Sequence, residues 1–494
     1  MKQLSKSKIL AYRQCPKRLW LELHRPEIRD DSGSEFAFAI GNQVGEVARR
    51  VYDSAEKGRL RDPHVIGWEE SFTATTQALE AGEGPLFEGA LQIPGALALA
   101  DVLVPDGTGW RMIEVKASSS VKDYQRDDVA VQSYIGRRAG VDLTRVCLAH
   151  VDTSFIYPGG ERYEGLLVEV DLTVEANARA DEVADWIAGA QETAAQATEP
   201  NVEVGPHCSD PFDCPFADHC WKGVDQPEYP LSSFYRLHWT TRERLETEGF
   251  KDVRDVPDER LGEVNRWIKR QTLVGEAFFD AAGAAAALAL YTSTARFLDF
   301  ETIGFAVPIW AGTRPYEQLP FQFSCHELGA DGELKHHEHL DVEGSDPRAP
   351  FAAALVEACG AEGPVFVYNA SFENRVMREL AREVPEFVGE IHAIIDRVVD
   401  LEPIARRHYY HPSQHGSWSL KAVLPAVCPD LDYGALEGVH HGGEAQQAYL
   451  EAVAPDTASE RREEIRRQLL DYCKLDTLAL VRIWEKFRGS DAGL

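Results

Sequence analysis

The chain lacks three features that would each point to a particular class of protein. Its longest apolar run, near Ala281–Leu290, is too short and too rich in alanine to cross a bilayer. Its first residues, Met1–Lys8, contain no apolar core of a secretory signal, so we expect a reducing, cytoplasmic location. Positive charge is scarce, with 51 Lys and Arg against 81 Asp and Glu and a net charge of −30. That balance argues against a nucleic-acid-binding protein at first sight, but binding depends on local patches rather than on total charge.

Two local patches of positive charge remain in the sequence. Met1–Asp30 holds eight Lys or Arg and three Asp or Glu, a local charge of +5 (8 − 3). The second patch, residues 406–411 with Trp418 and Lys421, mixes cations with aromatic rings. Such a mixture suits phosphate contact and base stacking on single-stranded nucleic acid. A solvated helix face is the alternative interpretation of each patch.

The length and the periodicity of the chain predict several α/β domains. A chain of 494 residues is too long for one hydrophobic core, so two or three domains are expected. Alternating apolar residues predict strands near 296–300, 320–328 and 364–368, and helical spacing predicts helices near 371–384 and 462–486. The alanine-rich segment near 281–290 is also predicted to be a helix.

Acidic residues recur at three places in the second half of the chain. Asp299 and Glu301 alternate along a predicted strand and therefore project from one face. Two such carboxylates repel each other unless a cation lies between them, and a divalent metal is the usual solution. Glu373 lies near the start of the next predicted helix, and Tyr472 lies one helical turn before Asp476. A solvated strand edge is the alternative for the first pair.

In this order the residues resemble the exonuclease branch of the ribonuclease H superfamily, in which four acidic residues hold two metals. The resemblance implies that Mg²⁺ or Mn²⁺ is bound by four residues of this chain, namely Asp299, Glu301, Glu373 and Asp476. It also implies that Tyr472 orients the attacking water, as in the Tyr-x3-Asp subtype, and that the action is 3′-to-5′. The middle motif of the family ends in aspartate where this chain has Glu373, so Asp400 is a second candidate carboxylate.

The first half of the chain has its own group of charged residues. Asp101 lies in an apolar strand pattern, and Glu114 and Lys116 alternate along the next one. The acids can hold Mg²⁺ or Mn²⁺, while the lysine can orient water or neutralise phosphate charge. A surface ion pair between Glu114 and Lys116 is the alternative.

This second pattern is similar to that of the PD-(D/E)xK nuclease superfamily. The helix that follows, with Gln132 and Tyr134, resembles that of the RecB-like members of the superfamily. The resemblance implies four catalytic residues, namely Asp101, Glu114, Lys116 and Gln132. Many RecB-like enzymes also bind metal through an upstream histidine, and Glu46 is our candidate for that position.

Four of the nine cysteines surround the first group of acids in the sequence. Cys15 precedes the group, and Cys208, Cys214 and Cys220 follow it with five residues between successive cysteines. Zinc and a [4Fe–4S] cluster both accept four thiolates, and disulfides are a third explanation. The arrangement resembles the iron–sulfur staple of RecB-like nucleases, which implies a [4Fe–4S] cluster, with Zn²⁺ as the alternative. Joining Cys15 to Cys208 would close a loop of 193 positions (208 − 15) and stabilise the fold by about a few kcal/mol.

These assignments predict two nuclease domains joined by a helical connector. The segments are a RecB-like nuclease at 1–226, a connector at 227–291 that resembles a helix–hairpin–helix unit, and a ribonuclease H-like exonuclease at 292–494. We expect a metal-dependent DNA nuclease for repair, recombination or defence, acting on single strands or free ends, with a helicase as a candidate partner. One alternative is a binding partner of a helicase in which one or both sites are degenerate. The other is an RNA-processing exonuclease.

Overall fold

The computed structural model of the chain describes residues 2–30, 35–291 and 294–489. The chain forms two compact units: unit 1 comprises Met1–Val224 with Phe305–Glu317, and unit 2 comprises Asp225–Gly304 with Gln318–Leu494. The predicted connector therefore falls in unit 2, and so does the predicted third segment except for Phe305–Glu317, which belongs to unit 1. Thr292, where we place the start of that third segment, lies outside the described residues.

Unit 1 contains one mixed sheet. Its strands among the described residues are β1 (Leu4–Ser5), β2 (Arg59–Leu60), β3 (Leu86–Ile93), β4 (Ala96–Asp106), β5 (Gly109–Lys116), β6 (Leu143–Val151) and β7 (Leu167–Asp171). The strand order is β2-β3-β4-β5-β6-β7, and β1 pairs with β4. The pairs β3–β4, β4–β5 and β6–β7 are antiparallel, whereas β5 and β6 are parallel. A parallel pair needs a crossover connection, which a helix supplies here.

The helices of unit 1 pack around this sheet. They are α1 (Lys6–Gln14), α2 (Pro16–His24), α3 (Glu35–Tyr52), α4 (Pro63–Ile66), α5 (Trp68–Ala81), α6 (Asp123–Arg138), α7 (Thr173–Ala178), α8 (Ala180–Ala195) and α9 (Ala217–Trp221). The crossover helix α6 buries Val129, Ala130 and Ile135 in the core, and it packs against β3, β4 and β6. The polar residues Asp128 and Gln132 of α6 meet Lys116 of β5 and Lys6 of α1, respectively.

Unit 2 contains a second mixed sheet and a two-stranded ribbon. Its strands are β8 (Phe278–Phe279), β9 (Ala295–Ile303), β10 (Leu319–Leu328), β11 (Leu334–Leu340), β12 (Val365–Val367), β13 (Val398–Asp400) and β14 (Tyr409–Tyr410). The sheet has the order β11-β10-β9-β12-β13, and β8 pairs with β14. Strands β9, β10 and β11 form an antiparallel meander, and β12 is parallel to both β9 and β13. The predicted strands near 296–300, 320–328 and 364–368 are confirmed.

The helices of unit 2 include both helices predicted around its acidic residues. They are α10 (Trp239–Thr247), α11 (Glu263–Val274), α12 (Ala281–Leu288), α13 (Arg348–Cys359), α14 (Ala370–Glu383), α15 (Val388–Ile395), α16 (Glu402–His408), α17 (Leu420–Val427), α18 (Gly442–Val453) and α19 (Ser459–Arg488). Long α19 crosses the sheet against β9 and β10. Among the described residues, no helix combines the length and the apolar character needed to cross a membrane.

Candidate metal centre

Three carboxylates of unit 2 converge on one point. Asp299 and Glu301 lie on β9, Asp476 lies on α19, and one oxygen of each lies within 4.8 Å of the others. In the described part of the chain, no other three His, Cys, Asp or Glu side chains meet this closely. Because residues two apart on a strand share a face, the sequence of β9 directs both of its acids to the same side.

Packing of α19 on β9 brings Asp476 to the other two acids. Phe297 lies on the same face of β9 as the acids and meets Trp484 of α19 edge-on, with ring centres 5.6 Å apart. Trp484 follows Asp476 by about two helical turns, so this buried contact fixes the height of Asp476 along the strand. On the neighbouring strand β10, the side-chain amide of Gln322 donates to the carbonyl oxygen of Leu469 at 2.7 Å.

A buried polar network holds α19 directly beside the three acids. The Thr477 hydroxyl lies 2.6 Å from Oγ of Ser324 and 2.8 Å from Nδ1 of His326. Ser324 is the residue opposite Asp299 in the β9–β10 pair. Burial is the main reason that the pKa of His326 falls to about 3, so its imidazole is neutral. The network therefore fixes the helix without placing another cation there.

The three acids resist ionisation in the absence of a cation. Burial, followed by the charges of Asp476, Glu301 and Glu373, raises the pKa of Asp299 well above its ordinary value. Burial and the charge of Asp476 raise the pKa of Glu301 to about 8. Burial also raises the pKa of Asp476 to about 6. A divalent cation offsets both causes. It stabilises the ionised carboxylates in place of the water that burial removes, and its charge balances their mutual repulsion.

Two tyrosines and a lysine border the acids. Tyr472 lies one turn before Asp476, and the phenol of Tyr433 donates to Oδ1 of Asp476 at 2.5 Å. The ammonium of Lys421 lies 5.1 Å from the centre of each tyrosine ring and donates to the carbonyl oxygen of His440 at 2.7 Å. The hydrogen bond from Tyr433 and the charge of Lys421 both lower the pKa of Asp476 against the effect of burial. Tyr433 was missed in the sequence, because it lies outside any periodic pattern.

Glu373 lies near the three acids but outside their 4.8 Å group. Its side chain is buried on α14, and its Oε2 atom has no hydrogen-bond partner among the described residues. Burial raises its pKa to about 8. The two oxygens of Asp400, by contrast, accept the backbone N–H groups of Asn369 and Ala370, each at 3.0 Å. Glu373 is therefore the carboxylate still available for a ligand, whereas Asp400 is committed to the backbone.

In unit 1 the four residues predicted from the sequence come together. They are Asp101 on β4, Glu114 and Lys116 on β5, and Gln132 on α6. The Lys116 ammonium lies 2.6 Å from Oε1 of Glu114, and Asp101 accepts the backbone N–H of Val115 at 2.7 Å. Burial, followed by the charges of Asp101 and Asp128, raises the pKa of Glu114 to about 7.

Two further residues of unit 1 complete this cluster and were missed in the sequence. Lys6 of α1 lies 2.8 Å from both Glu114 and Asp128 and donates to Oε1 of Gln132 at 2.9 Å. Lys116 also lies 2.5 Å from Asp128. Burial disfavours ionised Asp128, but the two lysines outweigh it and hold the pKa of this carboxyl below its ordinary value. Two ammonium groups thus balance most of the carboxylate charge in the cluster.

Glu46 and Tyr134 are not brought into the unit 1 cluster. The carboxylate of Glu46 is exposed on α3 and pairs with Arg50, one turn away, at 3.1 Å. Tyr134 packs against the hydrophobic core of unit 1, and the Arg138 guanidinium lies 5.4 Å from its ring centre. The structure therefore gives Glu46 the role of a surface ion pair.

The four cysteines predicted to act together line one small cavity of unit 1, which also contains Lys17 and Arg18. They are free thiols in the structure and are contributed by the α1–α2 junction, by the loop before α9 and by α9 itself: Cys15, Cys208, Cys214 and Cys220. The backbone N–H of Cys214 donates to the carbonyl oxygen of Cys208 at 2.7 Å. No three of these four sulfur atoms lie within 4.8 Å of one another.

A family model for a domain of unknown function, DUF2779, matches residues 296–419. The matched stretch runs from β9 past β14 and contains Asp299, Glu301 and Glu373, but it ends before Tyr472 and Asp476. No curated protein and no solved structure matches the chain.

Proposed function

We propose that the protein is a metal-dependent nuclease that hydrolyses phosphodiester bonds of DNA, with its principal active site in unit 2. The observation that carries this proposal is the meeting of Asp299, Glu301 and Asp476 within 4.8 Å. Carboxylate oxygens are the ligands that Mg²⁺ and Mn²⁺ prefer. The unpartnered, buried Oε2 atom of Glu373 adds a fourth donor that fits the same ions.

The topology of unit 2 supports a ribonuclease H-like exonuclease domain. An antiparallel meander, β9–β10–β11, is followed by two parallel strands that are reached through helices. Acids from the first strand of the sheet and from the last helix then lie together. A sheet alone carries no activity, so the proposal depends on the acids rather than on the fold.

Side chains of this unit have distinct roles in the proposed reaction. Bound divalent ions would lower the pKa of water and stabilise the charge that develops on the leaving oxygen. Asp299, Glu301 and Asp476 hold the ions, and Tyr433 keeps Asp476 in place. Burial keeps the pKa of Tyr472 above its ordinary value, so its phenol stays protonated and can orient the attacking water by a hydrogen bond. Lys421 supplies a positive charge beside the phosphate.

For unit 1 we propose a RecB-like nuclease core, and one observation favours a second candidate function there. The core would use Asp101, Glu114, Lys116 and Gln132 with Mg²⁺ or Mn²⁺. The ammonium of Lys6, however, lies among the same groups and supplies positive charge that a metal would otherwise supply. The second candidate is therefore a degenerate site that guides DNA for unit 2 or for a partner helicase without cutting it.

We further propose that the four cysteines hold a [4Fe–4S] cluster with a structural role. All four cysteines line one cavity of unit 1. Four thiolates are the ligand set of a [4Fe–4S] cluster, and Zn²⁺ remains the alternative that metal analysis tests.

The first test is cleavage of 5′-labelled single-stranded DNA in Mn²⁺ by the full-length protein. Asp299→Asn removes a ligand charge and is expected to lower the rate by at least about 100-fold. Asp471→Asn, which changes an exposed acid on the same helix as Asp476, is the matched control and should retain the wild-type rate.

Mn²⁺ binding and cleavage of RNA are measured alongside cleavage of DNA. Calorimetric titration with Mn²⁺ should show uptake by the wild type and weaker uptake by Asp299→Asn. A wild-type protein that neither cuts DNA nor takes up Mn²⁺ would overturn the proposal. If the protein cleaves an RNA oligonucleotide of the same sequence faster than the DNA, RNA is the preferred substrate.

A further inference from the structure

Tyr235 shares a cavity with the three acids of unit 2. The cavity has a volume of about 790 Å³ and is lined by Asp299, Glu301 and Asp476 together with Tyr235 and Arg236. The last two residues come from the segment before α10, which the sequence presented as part of a connector. We propose that Tyr235 is a stacking platform for the 3′-terminal base of a single-stranded DNA substrate, an inference that rests on the nuclease function of unit 2.

Aromatic and cationic groups surround the Tyr235 ring. The guanidinium carbons of Arg236 and Arg406 lie 5.0 Å and 5.7 Å from its centre, and Trp418 meets it edge-on at 5.4 Å between ring centres. Trp418 is buried, whereas Tyr235 is half-buried and Arg236 is exposed. An incoming base can therefore take the place of the exposed guanidinium on the ring, and that guanidinium is then free to meet a phosphate.

The backbone around Tyr235 is held before any ligand arrives. The Asn265 side chain accepts the N–H of Tyr235 at 2.9 Å and donates to its carbonyl oxygen at 3.3 Å. Two residues earlier, the Ser233 hydroxyl lies 3.0 Å from Nδ1 of His415. A side chain at Gly416 would bring its Cβ to 2.1 Å from the Ser233 carbonyl oxygen, so only glycine permits this approach. A fixed platform loses little conformational freedom on binding.

Arg236 places a positive charge beside the Tyr235 ring. Its φ of +45° is a conformation that side chains other than glycine rarely adopt, and such positions cluster at ligand sites. It forms no ion pair within the described ranges of the chain, whereas Arg406 is paired with Glu402 at 3.1 Å. In a protein of net charge −30, an unpaired cation beside a ring suits a phosphate and a base. Stacking is tolerant of base identity, so the site selects unpaired ends rather than a sequence.

The test uses a single-stranded DNA oligonucleotide whose 3′-terminal base is 2-aminopurine, a fluorescent base that stacking quenches. Binding is measured in EDTA, so that cleavage and metal binding play no part. Wild-type protein should quench the probe, and Tyr235→Leu should abolish most of the quenching and weaken binding about 10-fold. Tyr235→Phe keeps the ring and should behave as wild type. Trp239→Leu removes an exposed aromatic of the same unit that does not line the cavity, and it should change neither quantity.

An oligonucleotide that ends in an abasic 3′ nucleotide separates stacking from a general loss of structure. Wild type and Tyr235→Leu should bind it equally, because the missing base leaves nothing for the ring to hold. The platform would be overturned if Tyr235→Leu weakened binding of both oligonucleotides equally. It would also be overturned if the protein quenched a 2-aminopurine placed at the 5′ end instead. If the terminal-base preference persists in a protein that cuts nothing in Mn²⁺, the nuclease proposal fails and the platform stands. Cleavage without any such preference would overturn the platform and leave the nuclease function intact.

Discussion

Tyr433 donates its phenolic hydrogen to Asp476 at 2.5 Å, although 43 positions separate the two residues. Tyr433 lies in the connection between α17 and α18, whereas Asp476 lies in the middle of α19. Burial raises the pKa of Asp476, and this hydrogen bond is the main effect that opposes it. A residue outside every recognised motif therefore helps to keep a proposed metal ligand ionised.

The Tyr433→Phe variant should need a higher pH to reach full activity. Losing the hydrogen bond lets the pKa of Asp476 rise above about 6, and the ionised carboxylate is the form that holds a metal. We expect the acid limb of the pH–rate profile in Mn²⁺ to shift upward and the rate at pH 6 to fall about 10-fold, in line with a hydrogen bond to a charged group. Tyr449→Phe is the matched control, since that buried hydroxyl has no partner among the described residues. An identical profile for wild type and Tyr433→Phe would contradict the assigned role.

The Glu373→Gln variant should stabilise the metal-free protein as the pH rises. Burial lifts the folded-state pKa of Glu373 to about 8, above the ordinary value of about 4.3. The stability that this protonated acid contributes is present below about pH 4.3 and is lost as the pH rises through 8. Glutamine stays neutral, so its advantage in melting temperature in EDTA should grow between pH 5 and 8, reach about 2 °C or more and then level off.

Glu379→Gln, a change on the same helix α14 at a half-exposed position, is the control for that experiment. If the free carboxylate of Glu373 is a metal ligand, saturating Mn²⁺ should raise the melting temperature of the wild type above that of Glu373→Gln. A constant difference between the two proteins across this pH range would refute the burial argument.

The Lys6→Met variant should weaken unit 1 strongly. It removes the ammonium that Glu114 and Asp128 share at 2.8 Å and leaves buried carboxylates with Lys116 alone. Breaking one side of a buried ion pair destabilises by about 3–5 kcal/mol, and hydrogen exchange in the peptides of β4, β5 and α6 should report it. Lys8→Met, which removes a pair with Glu22 at 2.7 Å, is the control on the same helix and should have a smaller effect. Unchanged exchange in Lys6→Met would mean that Lys116 alone compensates the acids.

Anaerobically purified protein should be brown and should contain iron. Cys214→Ser should remove both the broad visible absorbance and the bound iron, because three thiolates remain where four are needed. Cys147→Ser is the matched control, since Cys147 is buried in β6 away from the cavity of the four cysteines. Colourless protein with one zinc per chain would assign the four thiols to Zn²⁺ instead.

Strong periodicity in the sequence was enough to predict the elements that carry the acids. The strands β9, β10 and β12 and the helices α14 and α19 lie where alternation and helical spacing place them. Strand β11 was missed, because Lys335–His339 has polar residues where a half-buried strand normally alternates. The ribbon of β8 and β14 pairs only two residues from each strand across a long stretch of chain, and no local pattern signals such a pair.

The candidate sites were predictable where a motif spans neighbouring positions and not where one residue arrives alone. Asp299, Glu301 and Asp476 stand in short spaced motifs, and the structure brings them together. Lys6 and Tyr433 reach their clusters by tertiary packing, which a single sequence does not encode in any spacing. Glu46 was chosen only because it lies upstream, where RecB-like enzymes have a histidine. In the structure its carboxylate forms an ion pair with Arg50, one helical turn away.

Unit 1 is discontinuous along the chain, because Phe305–Glu317 belongs to it while the flanking residues belong to unit 2. Within unit 1, Tyr157 donates its N–H to the carbonyl oxygen of Thr313 at 3.0 Å and accepts the N–H of Gly312 at 2.8 Å. Thr313 leaves the ribosome 156 residues after Tyr157 (313 − 157), when β9 of unit 2 has already been translated. Unit 1 therefore cannot finish folding before part of unit 2 has been synthesised. A fragment that stops at Val224 lacks the part of unit 1 formed by Phe305–Glu317.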